Sequence, residues 1–241
     1  MTYLVWDGAT LVEGALESTP TVVDSYLAKD HRVVRWDLHE QRFATSVDVD
    51  PWDFLHAVRE AIPRQGSWFP KIEWHGDDLF AVHIRPAPPL RKATSLWLSE
   101  DPDPRTQPTI KGPDLDVLAH LRSRANDNGC DDALLISEDG FILEAANATV
   151  VFWADPQTVI VPRGDVLPSV TLAATISLWE KAGITVRYQN IRHIGFPAWC
   201  GSSLHGWTPV VSWGRGLGKI TAAKAPSVKP WNEKLRPTIF P

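Results

Sequence analysis

Residues 109–153 read TIKGPDLDVLAHLRSRANDNGCDDALLISEDGFILEAANATVVFW. Lys111 closes an extended, proline-rich run. Leu115, Leu118, Ala119 and Leu121 then recur at helical spacing, which predicts a helix from Asp114 to Asn126. Ala133–Ile136 is a short apolar run, Glu138-Asp139-Gly140 has turn chemistry, and Phe141–Leu143 is a second apolar run, so the three form a hairpin. Glu144 stands at the hairpin's end, and Thr149–Trp153 continues as strand. Helices set among hairpins predict an α+β fold rather than a doubly wound parallel sheet.

Downstream, Thr158–Val161 reads as strand, Val170–Lys181 as an amphipathic helix stopped by Gly183, and Ile184–Tyr188 as strand. The last twenty residues, rich in proline and lysine, read as a loosely packed tail. Upstream, TYLVWDG is a strand running into a turn, and Thr21–Val23 either belongs to a strand or opens a helix. Val33, Val34 and Trp36 suggest a strand, while Leu38, Phe43 and Val47 fit one helix face. Pro51 opens a helix over 51–62 that turns Trp52, Leu55, Val58 and Ile62 to one side. Strands follow between Trp68 and Leu98. Residues 100–112 carry three prolines and few apolar residues, so they read as the connection between two domains, 1–105 and 106–241.

A chain of 241 residues buries a core without disulfide or metal staples. Its net charge of −5 argues against a basic nucleic-acid surface. No apolar run reaches the roughly 18–20 residues that span a bilayer. The first residues lack a basic start and a long apolar stretch, so they do not read as a signal peptide, and a cytoplasmic protein is expected. Cys130 and Cys200 are expected to be free, and with no CxxC and no HExxH no metal site is expected. Gly214–Gly218 is glycine-rich but lacks the spacing of a phosphate loop, and Ser202-Ser203 is not a nucleophile elbow. Twelve tryptophans against three tyrosines imply bulky aromatic packing.

Four pieces of sequence then stand in a telling order. His39-x-x-Arg42-Phe43-x-x-Ser46 precedes Lys111. Ala125, Gly129, Asp131-Asp132, Leu134-Leu135, Asp139-Gly140 and Glu144-Ala-Ala-Asn-Ala-Thr149 follow it. Leu167-Pro-Ser-Val-Thr171 and the segment from Ser202 to Pro209-Val210 complete the set. Together they resemble class IV (fold type IV) pyridoxal-phosphate enzymes: branched-chain and D-amino-acid aminotransferases and 4-amino-4-deoxychorismate lyase. The resemblance covers roughly residues 1–215. It departs from the family pattern at Ala145, Thr149, Ser169 and Leu172, and at Asp116, where branched-chain enzymes carry a tyrosine.

The resemblance implies pyridoxal 5'-phosphate, a homodimer, a smaller N-terminal and larger C-terminal domain, and the cofactor between them. Lys111 would be the amine that meets the cofactor's aldehyde and later moves the substrate's Cα proton. Glu144 would stand beside the ring nitrogen and favour its protonated form. Arg42 would offer the phosphate a bidentate fork. The Val170 and Thr171 amides open a helix, a natural anion site, and Ser203 with the Leu204 amide would complete the cup. Arg85, at a strand end, is a weaker candidate for a substrate carboxylate, and His39 and His205 read as packed rather than catalytic. The implied partners are small molecules, an amino acid or an amino-chorismate. The reaction is amino transfer to a 2-oxo acid; the alternatives are release of pyruvate and 4-aminobenzoate, or a cofactor-binding relative without catalysis.

Overall fold

The computed structural model describes residues 1–215 and 218–240. They form two compact units. The smaller holds Met1–Pro89, Ile110–Pro113 and the residues from Arg236 on; the larger holds Leu90–Thr109 and Asp114–Leu235. The mixed α+β architecture is the expected one. The single cut expected at residue 105 is replaced by four crossings. Strand Thr94–Leu98 pairs in parallel with both Asp132–Ile136 and Gly206–Arg215, which draws residues 90–109 into the large unit. Residues 110–113 return to the small unit, and they carry Lys111 with them.

The small unit is built on a five-stranded antiparallel sheet in the order Leu11–Glu13, Thr2–Trp6, Phe80–Ile84, Lys71–Trp74, Val22–Ser25. Alternation sends Phe80, Val82 and Ile84, with Ile72 and Trp74, into the core. Helices α1 (Trp36–Ala44) and α2 (Trp52–Ala61) add Phe43, Phe54, Leu55 and Val58. Phe54 and Phe80 stack with centroids 4.9 Å apart. Trp52 does not join the buried face; it is 48% exposed. It lies two residues, roughly 200°, around the helix from Phe54, and the larger cluster of buried positions sets the face. The strand expected at Val33–Trp36 is only Arg32–Val33, because Arg35 takes a left-handed conformation (φ 52°) and Trp36 opens α1.

The tail is not loose. Thr238–Ile239 pairs with Arg32–Val33, and Phe240 packs against Tyr26, His31 and Trp36. Proline-rich composition hid a single aromatic anchor, and burying one phenyl ring is worth about 2 kcal/mol.

The large unit carries a nine-stranded sheet. Its main path runs Ile142–Ala145, Asp132–Ile136, Thr94–Leu98, Gly206–Arg215, Ala198–Ser202, Thr149–Asp155, Thr158–Pro162, Thr185–Gln189, and Gly218–Thr221 pairs beside it. Helix α3 spans Leu115–Asp127, α4 Val170–Lys181 and α5 Lys229–Lys234. Trp179 of α4 meets Trp153, Trp199 and Trp207 of the sheet, with centroids 5.5–6.1 Å from its own. This cluster is where much of the tryptophan content goes. Cys130 and Cys200 are free and buried. Within the glycine-rich Gly214–Gly218, Gly216 and Leu217 lie outside the described residues; Gly214 belongs to the strand Gly206–Arg215.

Gly201 faces Trp207 across the sheet, and a Cβ there would come 2.6 Å from the indole's Cζ3. Gly201→Ala should therefore destabilise the protein by about 1–3 kcal/mol, read as a lowered unfolding midpoint in denaturant with an unchanged m-value.

Candidate functional site

In the small unit the polar residues gather on one buried carboxylate. Asp24 lies on strand Val22–Ser25 with no solvent exposure. His39 and Arg42 stand three residues apart on α1 and so share a face. His39 Nδ1 is 2.9 Å from Asp24 Oδ1. Arg42 Nε donates to Oδ2 at 2.8 Å and Nη2 to Oδ1 at 2.9 Å. Burial works to raise the Asp24 carboxyl; the charges of Arg42 and Lys111 and the hydrogen bond from His39 outweigh it and hold the group at about 2. Burial also pushes His39 down, so the ring is neutral, and its Nδ1 carries the hydrogen because the carboxylate only accepts. Phe43 of the same motif enters the core, and the Ser46 hydroxyl donates to the Arg42 carbonyl at 3.0 Å.

Lys111 is set by its backbone. The Val23 amide donates to the Lys111 carbonyl at 2.7 Å, which lays the segment beside the strand that holds Asp24. The next residue is Gly112, at φ +153°. A Cβ there would stand 2.2 Å from the Thr21 carbonyl oxygen and 2.8 Å from Val22 Cα, so only glycine permits this approach. The lysine's charge acts on both Asp24 and His39. Arg42 thus binds the carboxylate directly, and Lys111 adds its charge from the neighbouring segment.

In the large unit Glu144 lies buried on strand Ile142–Ala145. Arg105 Nη1 donates to its Oε1 at 2.8 Å, and the Leu167 amide donates to the same oxygen at 2.9 Å. Burial raises the carboxyl above its ordinary value, against the pull of Arg105 and the Leu167 N–H. Three residues beyond Leu167, α4 begins. Ser169 caps it, its Oγ accepting from the Leu172 amide at 3.2 Å. The departure from the family's glycine is therefore a helix cap. The Val170 and Thr171 amides fall in the first turn, where a helix has no acceptors of its own to offer. Ser203 and Leu204 sit in the tight turn between Ala198–Ser202 and Gly206–Arg215. Trp207 ties this hairpin to α4 by donating from Nε1 to the Thr175 hydroxyl at 2.9 Å.

The residues expected from sequence thus fall into two groups. Arg42 and the Lys111 segment lie beside the Asp24 strand in the small unit. Glu144, Val170, Thr171, Ser203 and Leu204 share the large unit, linked through Leu167 and the Trp207–Thr175 bond. His205 accepts from the Arg91 amide, and burial pushes it down to about 4, so it is neutral at physiological pH. Arg85 donates to the Phe69 carbonyl at 2.9 Å and stacks over the Phe69 ring. Sequence reading missed Asp24, Gly112 and Arg105. An aspartate inside the apolar run Val22-Val23-Asp24-Ser25-Tyr26 was the available signal for the first, since a buried charge must have partners. Arg105 gave none, because it stands in a run that looked like a linker.

The chemistry of these groups fits pyridoxal phosphate. A helix start and a guanidinium suit a phosphate dianion, a buried carboxylate suits a protonated ring nitrogen, and a lysine suits an aldehyde.

The sequence profile of the family described as amino-transferase class IV matches residues 21–213. Among solved structures, a hypothetical aminotransferase from Mycobacterium tuberculosis in a PLP-bound form is similar at 17% identity and TM-score 0.78, covering 98% of this chain and 97% of that one. The branched-chain amino acid aminotransferase from Escherichia coli is similar at 17% identity and TM-score 0.77, covering 97% and 92%. A candidate 4-amino-4-deoxychorismate lyase is similar at 16% identity and TM-score 0.77, covering 95% and 97%. At these identities the likeness is one of fold. No curated protein matches the chain.

Two outcomes are expected of the Asp24 cluster. Asp24→Asn leaves Arg42 uncompensated and should cost about 3–5 kcal/mol in unfolding free energy at pH 7. Because the folded carboxyl titrates near 2 and a free one near 3.8, its stabilisation is full above pH 4 and fades as pH falls toward 2. The gap between Asp24→Asn and the native protein should narrow over that same interval by about 2 kcal/mol, the equivalent of that pKa difference, in pH-dependent denaturation.

Proposed function

The chain belongs to the class IV aminotransferase family, and from that premise we propose that it is a pyridoxal-phosphate enzyme moving an amino group between an amino acid and a 2-oxo acid. The observation that carries this reading is that Arg42 is held on the buried Asp24 while the Val23–Lys111 main-chain hydrogen bond lays the Lys111 segment beside the same strand. When bound, the cofactor supplies an aldehyde for an amine and a ring that takes up negative charge. Lys111 would be its anchor, and once released the base that carries the proton to and from the substrate's Cα. Arg42, with the Val170 and Thr171 amides, Ser203 and the Leu204 amide, would hold the phosphate. Glu144 would hold the ring nitrogen protonated. The family resemblance further supports a homodimer and a cytoplasmic enzyme acting on small molecules. In keeping with that, no helix among the described residues is long and apolar enough to cross a membrane.

One feature counts against the branched-chain type in particular and fits the D-amino-acid and lyase types alike. Asp116 occupies the place of the branched-chain tyrosine, and it is exposed on the first turn of α3. Release of pyruvate from 4-amino-4-deoxychorismate is the corresponding assay.

The first test is spectroscopic. Protein incubated with pyridoxal phosphate should show a visible absorbance band that borohydride abolishes. Mass spectrometry should then find the reduced cofactor on Lys111, and Lys111→Ala should show neither the band nor the adduct. A native protein without the band under saturating cofactor would sink the transaminase and lyase readings together.

A further inference from the structure

Arg105 stands in the segment that reads as a linker, yet its side chain is only 4% exposed and is paired with two carboxylates. Asp103 grips one edge of the guanidinium: Nε lies 3.0 Å from both carboxylate oxygens and Nη2 is 2.7 Å from Oδ2. The backbone on either side is pinned. The Asp103 amide donates to the Ile136 carbonyl at 2.7 Å, and the Asp114 carboxylate accepts from the Thr106 and Gln107 amides at 2.9 Å each. With one edge used by Asp103, Nη1 reaches Glu144.

Two consequences follow for Glu144. Among the described residues both of its hydrogen bonds fall on Oε1, so Oε2 is the oxygen presented to a further donor. The charges also count. Asp103, Arg105 and Glu144 sum to one negative charge in a buried place, and Asp114, the other acid acting on this arginine, is itself met by amides. A buried cluster with one unbalanced negative charge favours a cationic donor over a neutral one. Arg105 alone would quench Glu144; shared with Asp103, it keeps the carboxylate ionised while leaving the negative charge that a cation needs.

We propose that Arg105 is a positioning residue for Glu144, holding it charged and turned so that Oε2 meets a protonated aromatic ring nitrogen on the ligand. This rests on the cofactor reading above, and it assigns to the chain's own Asp103–Arg105 pair the control of that nitrogen's protonation.

The test uses full-length protein as native, Arg105→Gln, Arg105→Lys and Asp103→Asn. With pyridoxal phosphate labelled with nitrogen-15, the bound ring nitrogen of native protein should give a protonated resonance. Arg105→Gln should move it toward the unprotonated position and weaken cofactor retention by about tenfold, the equivalent of one pKa unit at that contact. Arg105→Lys, which restores the charge, should keep the nitrogen protonated, whereas Asp103→Asn, which removes the cluster's unbalanced negative charge and leaves Arg105 to Glu144 alone, should move it toward the unprotonated position. An Arg105→Gln protein that binds cofactor with the native resonance overturns the proposal. A native protein that takes up no cofactor overturns the functional reading instead. The carboxyl titration of Glu144, followed by carbon-13 resonance in cofactor-free protein, then decides Arg105's part alone. A midpoint raised by about one unit or more in Arg105→Gln supports it. An unchanged midpoint overturns it.

Discussion

A carboxylate removed from water stays ionised only if cations come to it, and much of this structure follows from meeting that demand at Asp24. The strand Val22–Ser25 places the group with no exposure. Arg42 and His39 must then arrive from one face of α1, which fixes how that helix packs. Lys111 adds its charge from a segment far along the chain. Removing Asp24 or Arg42 leaves the other as a buried, uncompensated charge, so this pair behaves as a unit rather than as separable contacts. The cluster's two cations are of the kinds that the proposed anionic aldehyde cofactor would call for.

The backbone imposes a second constraint. Lys111 can lie beside the Asp24 strand only because Gly112 has no Cβ to strike the Thr21 carbonyl. The Val23–Lys111 hydrogen bond then sets the register. In the large unit the corresponding device is the helix start: Ser169 caps α4, and the first-turn amides after it remain available for an anion. Neither device needs a charged side chain. Both place polar groups through main-chain geometry, which is stiffer than any long side chain and so better suited to holding a phosphate or an aldehyde within a few tenths of an ångström.

Legibility in the sequence tracked the range of the interaction. Helix α4 spans the expected Val170–Lys181, and the hairpin over Ala133–Leu143 forms with its turn at Glu138–Gly140, because periodicity and turn chemistry act over a few residues. The tail and the linker were misread for a common reason. Phe240 and Arg105 each sit in proline-rich surroundings whose composition describes solvated chain, yet each finds a buried partner far away: Tyr26, His31 and Trp36 for the first, Asp103 and Glu144 for the second. The boundary near residue 105 failed likewise, because pairing of Thr94–Leu98 with two distant strands decides which unit the segment joins.

By itself the sequence determined the α+β class, the order of the elements and the identity of the groups that the family resemblance singles out, from Arg42 through Lys111 and Glu144 to Ser203. Those depend on residue type and spacing, which are written in the chain. The tertiary structure alone decided which charge stands against which. Asp24 was needed to gather Arg42 with Lys111, and Arg105 to turn Glu144, across separations no local pattern encodes. The physical reason is that burial belongs to the assembled fold. A carboxylate becomes costly, and its partner obligatory, only once the rest of the chain has excluded water around it.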